Sequence, residues 1–241
     1  MIITNSIYRF ECSNAIERYR AESLFTKEEG TVRWLINEVK EGDVLYDIGA
    51  NIGLYTVVAA YMGAFVVAFE PHAANIQSLE TNIALNGVAA QVQIITRPLN
   101  DKPGMIEFNY ASLDAGSSGS QLGHTTAESG HLFVPKLRQP MQATSVDEML
   151  AQGARPPQLI KLDVDGNELL VLHGAEGLLH SGYARSIQVE MHPKDDEAIV
   201  EFLDGYGYRL VERHYTEIGK RAMAQGTDPA RIAHNAVFTK V

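Results

Sequence analysis

The sequence predicts an α/β fold, a mostly parallel sheet with helices on both faces and an antiparallel edge. Three observations predict it. Short apolar runs alternate with amphipathic stretches from Val44 to Tyr208, the order of successive β/α units. A glycine-rich turn, Asp47 to Gly53, joins the first buried run to the helix after it. The last two runs, Tyr208 to His214 and Ala236 to Thr239, have no predicted helix between them, so they pair antiparallel at one edge.

Each element follows from local pattern. Residues 1–23 read as a polar, irregular lead-in, the start of an N-terminal helical lead-in that spans 1–40. Leu24 to Lys40 has helical spacing, with Val32, Leu35, Ile36 and Val39 as its apolar stripe, and is placed over the sheet or the cavity mouth. Val44 to Tyr46 is a buried strand, Leu54 to Met62 a helix, and Phe65 to Phe69 a second strand. Ala73 to Leu85 is a helix closed by Asn86-Gly87, and Val92 to Thr96 is the third strand. Asn100 to Gly104 is turn chemistry, and Met105 to Tyr110 reads as an extra strand. Residues 111–130, rich in Gly and Ser, form a loop that shapes a substrate or cofactor pocket. Met141 to Thr144 reads as a strand. Ser145-Val-Asp-Glu148 is a capping box opening a short helix. Leu159 to Asp163 and Ser186 to Met191 are buried strands, with helices at Asn167 to Leu179 and Asp195 to Tyr206. Residues 215–231 read as a polar loop. The whole, 1–241, is a single domain.

The chain has 241 residues, 45% of them hydrophobic, and a formal charge of −10, enough for one domain with a substantial core. No basic run is visible, which argues against a nucleic-acid partner, whose phosphates must be neutralised. One cysteine, Cys12, excludes an internal disulfide and a cysteine zinc site. No secretory leader and no apolar run of membrane length is present, so the protein is expected to be cytoplasmic, without a membrane partner.

The turn carries the functional signal. Glycine lets backbone approach a ligand, and the helix that follows begins with free N–H groups. Glu70, ending the second strand, is placed to accept hydrogen bonds from a ribose diol. The turn reads G-x-N-x-G, and the dinucleotide fingerprint G-x-G-x-x-G is missing. Asn51 stands where a glycine would admit a pyrophosphate. Asp47 repels phosphate and suits an ammonium or sulfonium. These features select S-adenosylmethionine as cofactor. Gly49, Asn51 and Gly53 are expected along its methionine part, and Glu70-Pro71 at its ribose. A nicotinamide-dependent oxidoreductase and a non-catalytic cofactor-binding module remain the alternatives.

Six motifs occur in order: DIGANIG, AFEP, SLETNIALNG, ATSVDEML, IKLDVDGNELLVLHGA and IQVEMHP. In these the chain resembles the FkbM family of S-adenosylmethionine-dependent methyltransferases, from about Gly42 to His192 and more weakly over Phe202 to Arg209. The resemblance implies a seven-stranded, Rossmann-like class I methyltransferase fold and methyl transfer to a hydroxyl of a sugar or natural product. It also implies adenine contacts at Pro98, Leu99 and Asn100. Where the family writes D-V-E-G-A-E, this chain has Asp163-Val164-Asp165-Gly166-Asn167-Glu168.

An alcohol is a poor nucleophile, so its methylation calls for a general base or a metal ion. Asp163, Asp165, Glu190 and His192 are the candidates, all at strand ends where α/β sheets bind ligands. His192 also suits a structural hydrogen bond before Pro193. Asp163 and Glu190 have the oxygens for a divalent cation, but the reading without a metal is preferred, with the acids attracting the sulfonium. Lys161, interior to its strand, must pair with an acid.

Overall fold

A computed structural model describes residues 1–126 and 131–241. The chain opens with a hairpin, β1 (Ile2–Asn5) and β2 (Tyr8–Glu11), then α1 (Ala15–Glu22) and α2 (Glu29–Glu38). The β/α series follows: β3 (Val44–Ile48), α3 (Leu54–Tyr61), β4 (Phe65–Phe69), α4 (Ala73–Leu85) and β5 (Val92–Ile95). Next come β6 (Gly104–Tyr110), β7 (Gln121–Leu122), β8 (Leu137–Ala143) and α5 (Val146–Ala151). The chain continues with β9 (Leu159–Leu162), α6 (Glu168–His173), α7 (Glu176–Ser181), β10 (Ser186–Met191) and α8 (Asp196–Gly205). It closes with β11 (Tyr208–His214), α9 (Glu217–Ala224) and β12 (His234–Lys240).

The main sheet has seven strands in the order β11-β12-β10-β9-β3-β4-β5. Five strands, β10, β9, β3, β4 and β5, run parallel, and β12 is antiparallel to both β10 and β11. The alternating β/α pattern is thereby realised as a parallel sheet with an antiparallel edge, although the last connection, read as helix-free, carries α9.

Side chains alternate between two cores. Leu45, Val66, Ala68 and Leu159 face α2, α3 and the hairpin. Tyr46, Val67, Ile160 and Ile187 face the layer of α5 to α8. One polar row interrupts the first core. Asp47, Lys161 and Gln188 are register partners on adjacent strands, all almost fully buried. Thr56 Oγ1 donates to Asp47 at 2.6 Å, and Gln188 Nε2 donates to Thr31 at 2.8 Å. Lys161 Nζ sits 3.8 Å from Asp47 and 3.0 Å from Asp163. A buried charge stripped of its partner costs roughly 3–5 kcal/mol, so these three charges act as one unit.

The departures from the sequence pattern have local causes. Residues 1–23 are structured, because Arg9 and Glu11 backbone N–H groups of the hairpin donate to Asn86 and Asn82 of α4. The helix read at Leu24 to Lys40 starts only at Glu29. The helix read at Asn167 to Leu179 breaks at Gly174, where a Cβ would lie 2.2 Å from the Asn100 carbonyl. The Gly174 carbonyl instead accepts the Asp147 N–H. Met141 to Ala143 belongs to β8, which pairs with β6 in a separate three-stranded sheet, β7-β6-β8, and Thr144 bridges to Leu99. The loop read at 215–231 contains α9, capped by Thr216 Oγ1. The loop read at 111–130 contains β7, and its residues 127–130 lie outside the described residues.

Candidate active site

A cavity of about 320 Å³ opens above the carboxyl ends of β3, β4, β9 and β10. The turn after β3 forms one side. Gly49 has φ +84°, and a Cβ there would sit 1.7 Å from the Asp163 carbonyl oxygen. Its first duty is therefore to let two strand ends touch. Gly53 backs onto Leu79 of α4 in the same way and is not part of the cavity wall. Asn51, at φ +51°, lines the cavity, and its Nδ2 donates to the Ser117 carbonyl at 3.0 Å.

Glu70 ends β4 at 5% exposure. Its carboxylate accepts the backbone N–H groups of Asn51 (2.7 Å) and His72 (2.8 Å). Burial pushes its pKa up to about 7, against those two bonds. Each carboxylate oxygen keeps lone-pair capacity for a further donor. Pro71 and Leu99 share this wall with Phe108 and Leu122, an apolar surface. His72 Nε2 lies 2.9 Å from the Ser112 carbonyl, which fixes Nε2 as the protonated nitrogen.

The opposite side is acidic. Burial raises the Asp163 carboxyl, but the Lys161 ammonium outweighs it and holds the group well below the usual carboxylate range. For Lys161 burial works downward, and Asp163 and Asp47 overcome it, so the amine stays charged. His192 Nε2 lies 3.1 Å from Glu190 Oε2. Burial lowers the imidazole pKa, yet the bond to Glu190 and its charge raise it above the ordinary value. Glu168 Oε1 accepts the N–H groups of Val164 and Gly166 and closes the turn after β9. Ligand atoms of Asp163, Asp165 and Glu190 lie within 4.8 Å of one another, as do those of Glu168, Glu190 and His192. Either trio has the donor atoms for a divalent cation.

Helix α1 and residues 112–122 cover the cavity. Asn14 Nδ2 donates to the Ala115 carbonyl at 2.9 Å and Arg20 Nε to Gly116 at 2.6 Å. Asn75 Oδ1 accepts the Gly116 N–H at 2.8 Å. Asp165 Oδ2 accepts the Gly119 N–H at 2.7 Å, and its carbonyl accepts Gln121 Nε2 at 2.6 Å. Ser117, Ser118 and Ser120 then line the cavity.

Gly49, Asn51, Glu70, Pro71, Leu99, Asp163, Asp165 and Glu190 thus meet around one space. Four expected residues do not face it: Gly53, which backs onto Leu79, and three others. Asp47, expected at a cationic ligand group, is wholly buried beneath the turn and acts through Lys161. Asn100, expected at adenine, turns away: its N–H donates to Thr144 and its carbonyl packs on Gly174. His192 stands behind Glu190, with 5% of its side chain exposed. Sequence reading missed Arg20, Lys27, Glu28, Tyr55 and His72 in the wall. Only the stripe at Val32 to Val39 hinted that the N-terminal segment covers the mouth.

Over residues 47–210 the chain matches the Methyltransferase FkbM domain. It is 30% identical over 192 residues to the hexuronic acid methyltransferase AglP of Haloferax volcanii, covering 78% of this chain and 73% of that protein. It is 29% identical over 199 residues to the 31-O-demethyl-FK506 methyltransferase FkbM of Streptomyces tacrolimicus, covering 72% and 75%. The crystal structure of a methyltransferase FkbM from Methylobacillus flagellatus superposes with a TM-score of 0.53 at 14% identity. That match covers 93% of this chain and about half, 52%, of the other, and supports the fold alone.

Proposed function

This chain belongs to the FkbM methyltransferase family, and from that premise we propose that it methylates an oxygen of a sugar or other hydroxylated small molecule. S-adenosylmethionine is the methyl donor. The nicotinamide reading of the glycine turn falls with the family match. The observation that carries the proposal is the pairing, in one cavity, of Glu70 beside an apolar wall with Asp163 and Glu190 opposite.

The residues fit the donor. The apolar surface of Leu99, Phe108 and Leu122 suits adenine, and Glu70 suits a ribose diol. The ionised Asp163 suits a sulfonium charge. The bound donor supplies an electrophilic methyl carbon. The chain's own work is to hold the acceptor oxygen in line and to take its proton. We assign the proton to Glu190, which faces the cavity, with His192 behind it as a positioning residue that sets its charge. Asp163, held ionised by Lys161, contributes charge, and Asp165 ties down the cover. Lys161 and His192 already balance the carboxylates, which favours this route over a metal.

The relative that acts on a hexuronic acid favours a second reading, because such a sugar offers a carboxylate as well as hydroxyls. One assay separates the two. The protein is incubated with methyl-labelled donor and a panel of neutral sugars, uronic acids and hydroxylated natural products, with and without chelator. Alkali-stable label identifies an ether and supports the proposal. Alkali-labile label identifies an ester and overturns it, and no transfer to any acceptor returns the non-catalytic module. The charge of −10 and the cavity's size point to a small acceptor rather than a nucleic acid.

A further inference from the structure

We propose that the last turn of α1 and the segment joining it to α2 are part of the cofactor site, with Arg20 and Lys27 forming an anion subsite for the α-carboxylate of the donor's methionine moiety. The inference rests on S-adenosylmethionine occupying this cavity. That ligand carries two cationic groups, an ammonium and a sulfonium, and one carboxylate. Glu28 and Asp163 line the cavity and suit the cations. The carboxylate needs a cation, and among the described residues four Lys or Arg side chains line the wall: Arg20, Lys27, Arg97 and Lys161. Lys161 is committed to Asp163 and Asp47. Arg97 stands at the end of β5 beside Pro98 and Leu99, on the apolar side. Arg20 remains, with Lys27 beside it paired to Glu28.

Their geometry is that of a built site. Arg20 Nε donates to the Gly116 carbonyl at 2.6 Å, which fixes the guanidinium plane. The adjacent Ser117 carbonyl takes Asn51 Nδ2, so this anchor lies over the glycine turn. The terminal guanidinium nitrogens have no carboxylate partner among the described residues. A planar fork of this kind matches a carboxylate. Lys27 Nζ is held 2.7 Å from Glu28, and Glu28 Oε2 accepts the Tyr55 hydroxyl at 3.0 Å. Burial lowers the Lys27 pKa, the Glu28 charge outweighs it, and the ammonium persists. Tyr55 belongs to the first turn of α3, whose leading N–H groups favour the same anion.

Calorimetric titration of the full chain tests this with S-adenosylhomocysteine and its decarboxylated analogue, which keeps the amine. The wild type is expected to bind the intact ligand about ten-fold more tightly or better, the worth of a charge-assisted contact. Arg20→Gln should weaken the intact ligand by a similar factor, leave the analogue unchanged and so erase the discrimination. Arg20→Lys should retain part of it, and matching thermal melts exclude misfolding. Equal wild-type affinities, or undiminished discrimination in Arg20→Gln, would overturn the subsite. A rise only in acceptor KM would reassign Arg20 to the acceptor and overturn it too. Failure of the wild type to bind S-adenosylhomocysteine would instead strike the cofactor reading itself.

Discussion

The floor of the cavity and its cover enclose one space, yet they are held in different ways. The floor is the set of strand ends after β3, β4, β9 and β10. It hangs from two apolar cores, and its charges are locked in a buried row, Asp47 to Lys161 to Asp163. The cover is α1, the segment after it, and residues 112–122. Side-chain bonds to backbone hold it, from Asn14, Arg20, Asn51, Asn75 and Asp165. Each such bond is worth about 1 kcal/mol net. A change in the floor therefore propagates into the fold, whereas the cover can change piece by piece.

Substitutions in the two regions should consequently differ in kind. The largest effect belongs to Gly49→Ala. A Cβ 1.7 Å from the Asp163 carbonyl must push two strands apart, and a left-handed φ adds strain. Urea denaturation should show a loss of about 3 kcal/mol or more. A loss under 1 kcal/mol would mean the floor is less rigid than argued.

Next is Glu70→Ala, expected to weaken S-adenosylhomocysteine about 100-fold, the worth of two charge-assisted bonds. The pH dependence carries a sign. Burial raises the folded pKa from 4.5 to about 7, so the empty site favours the protonated acid. This group's contribution to ligand-free stability declines as pH rises from 4.5 towards 7. Ribose hydroxyls donate to the ionised form, so affinity should increase with pH up to about 7 and then level off. Glu70→Gln should give a flat profile, and a wild-type profile equally flat would remove Glu70 from the ribose.

For the cover, Asp165→Ala should cost only about 1 kcal/mol in stability. It should raise acceptor KM several-fold with little change in kcat, because the Asp165 carboxylate clamps Gly119, whereas its carbonyl still accepts Gln121. A kcat loss of 100-fold would instead make Asp165 catalytic. The smallest effect concerns His192. Its folded pKa is raised through Glu190, so the stability of that bond is complete below 6.5 and lost as pH climbs through the folded value. Stability curves of wild type and His192→Gln should converge at high pH.

The floor was legible in the sequence because its residues are contiguous. Asp47 to Gly53, Glu70-Pro71 and Asp163 to Glu168 each sit at the end of an apolar run, and period and glycine place them. Of the cover, the Gly/Ser-rich loop at 111–130 was legible as a pocket-shaping segment, but its anchoring to α1 was not. Arg20 meets Gly116, and Asn14 meets Ala115, across about a hundred residues with no local pattern. The short helices were misread for a related reason. Gly174 breaks its helix because of a carbonyl from the β5 side, a tertiary contact invisible to spacing. Asp47 was misplaced by one layer, since strand alternation turns it towards α3 and Thr56, away from the cavity.

In the proposed mechanism the floor separates donor binding from proton removal, with Glu190 serving only the second. Single-turnover methyl transfer by Glu190→Gln, measured alongside its S-adenosylhomocysteine affinity, tests it directly. Proton-transfer groups contribute about 10²–10⁴-fold in rate. The rate should fall within that range while the affinity stays within about two-fold of wild type. An unchanged rate, or a loss carried wholly by weaker donor binding, would contradict it.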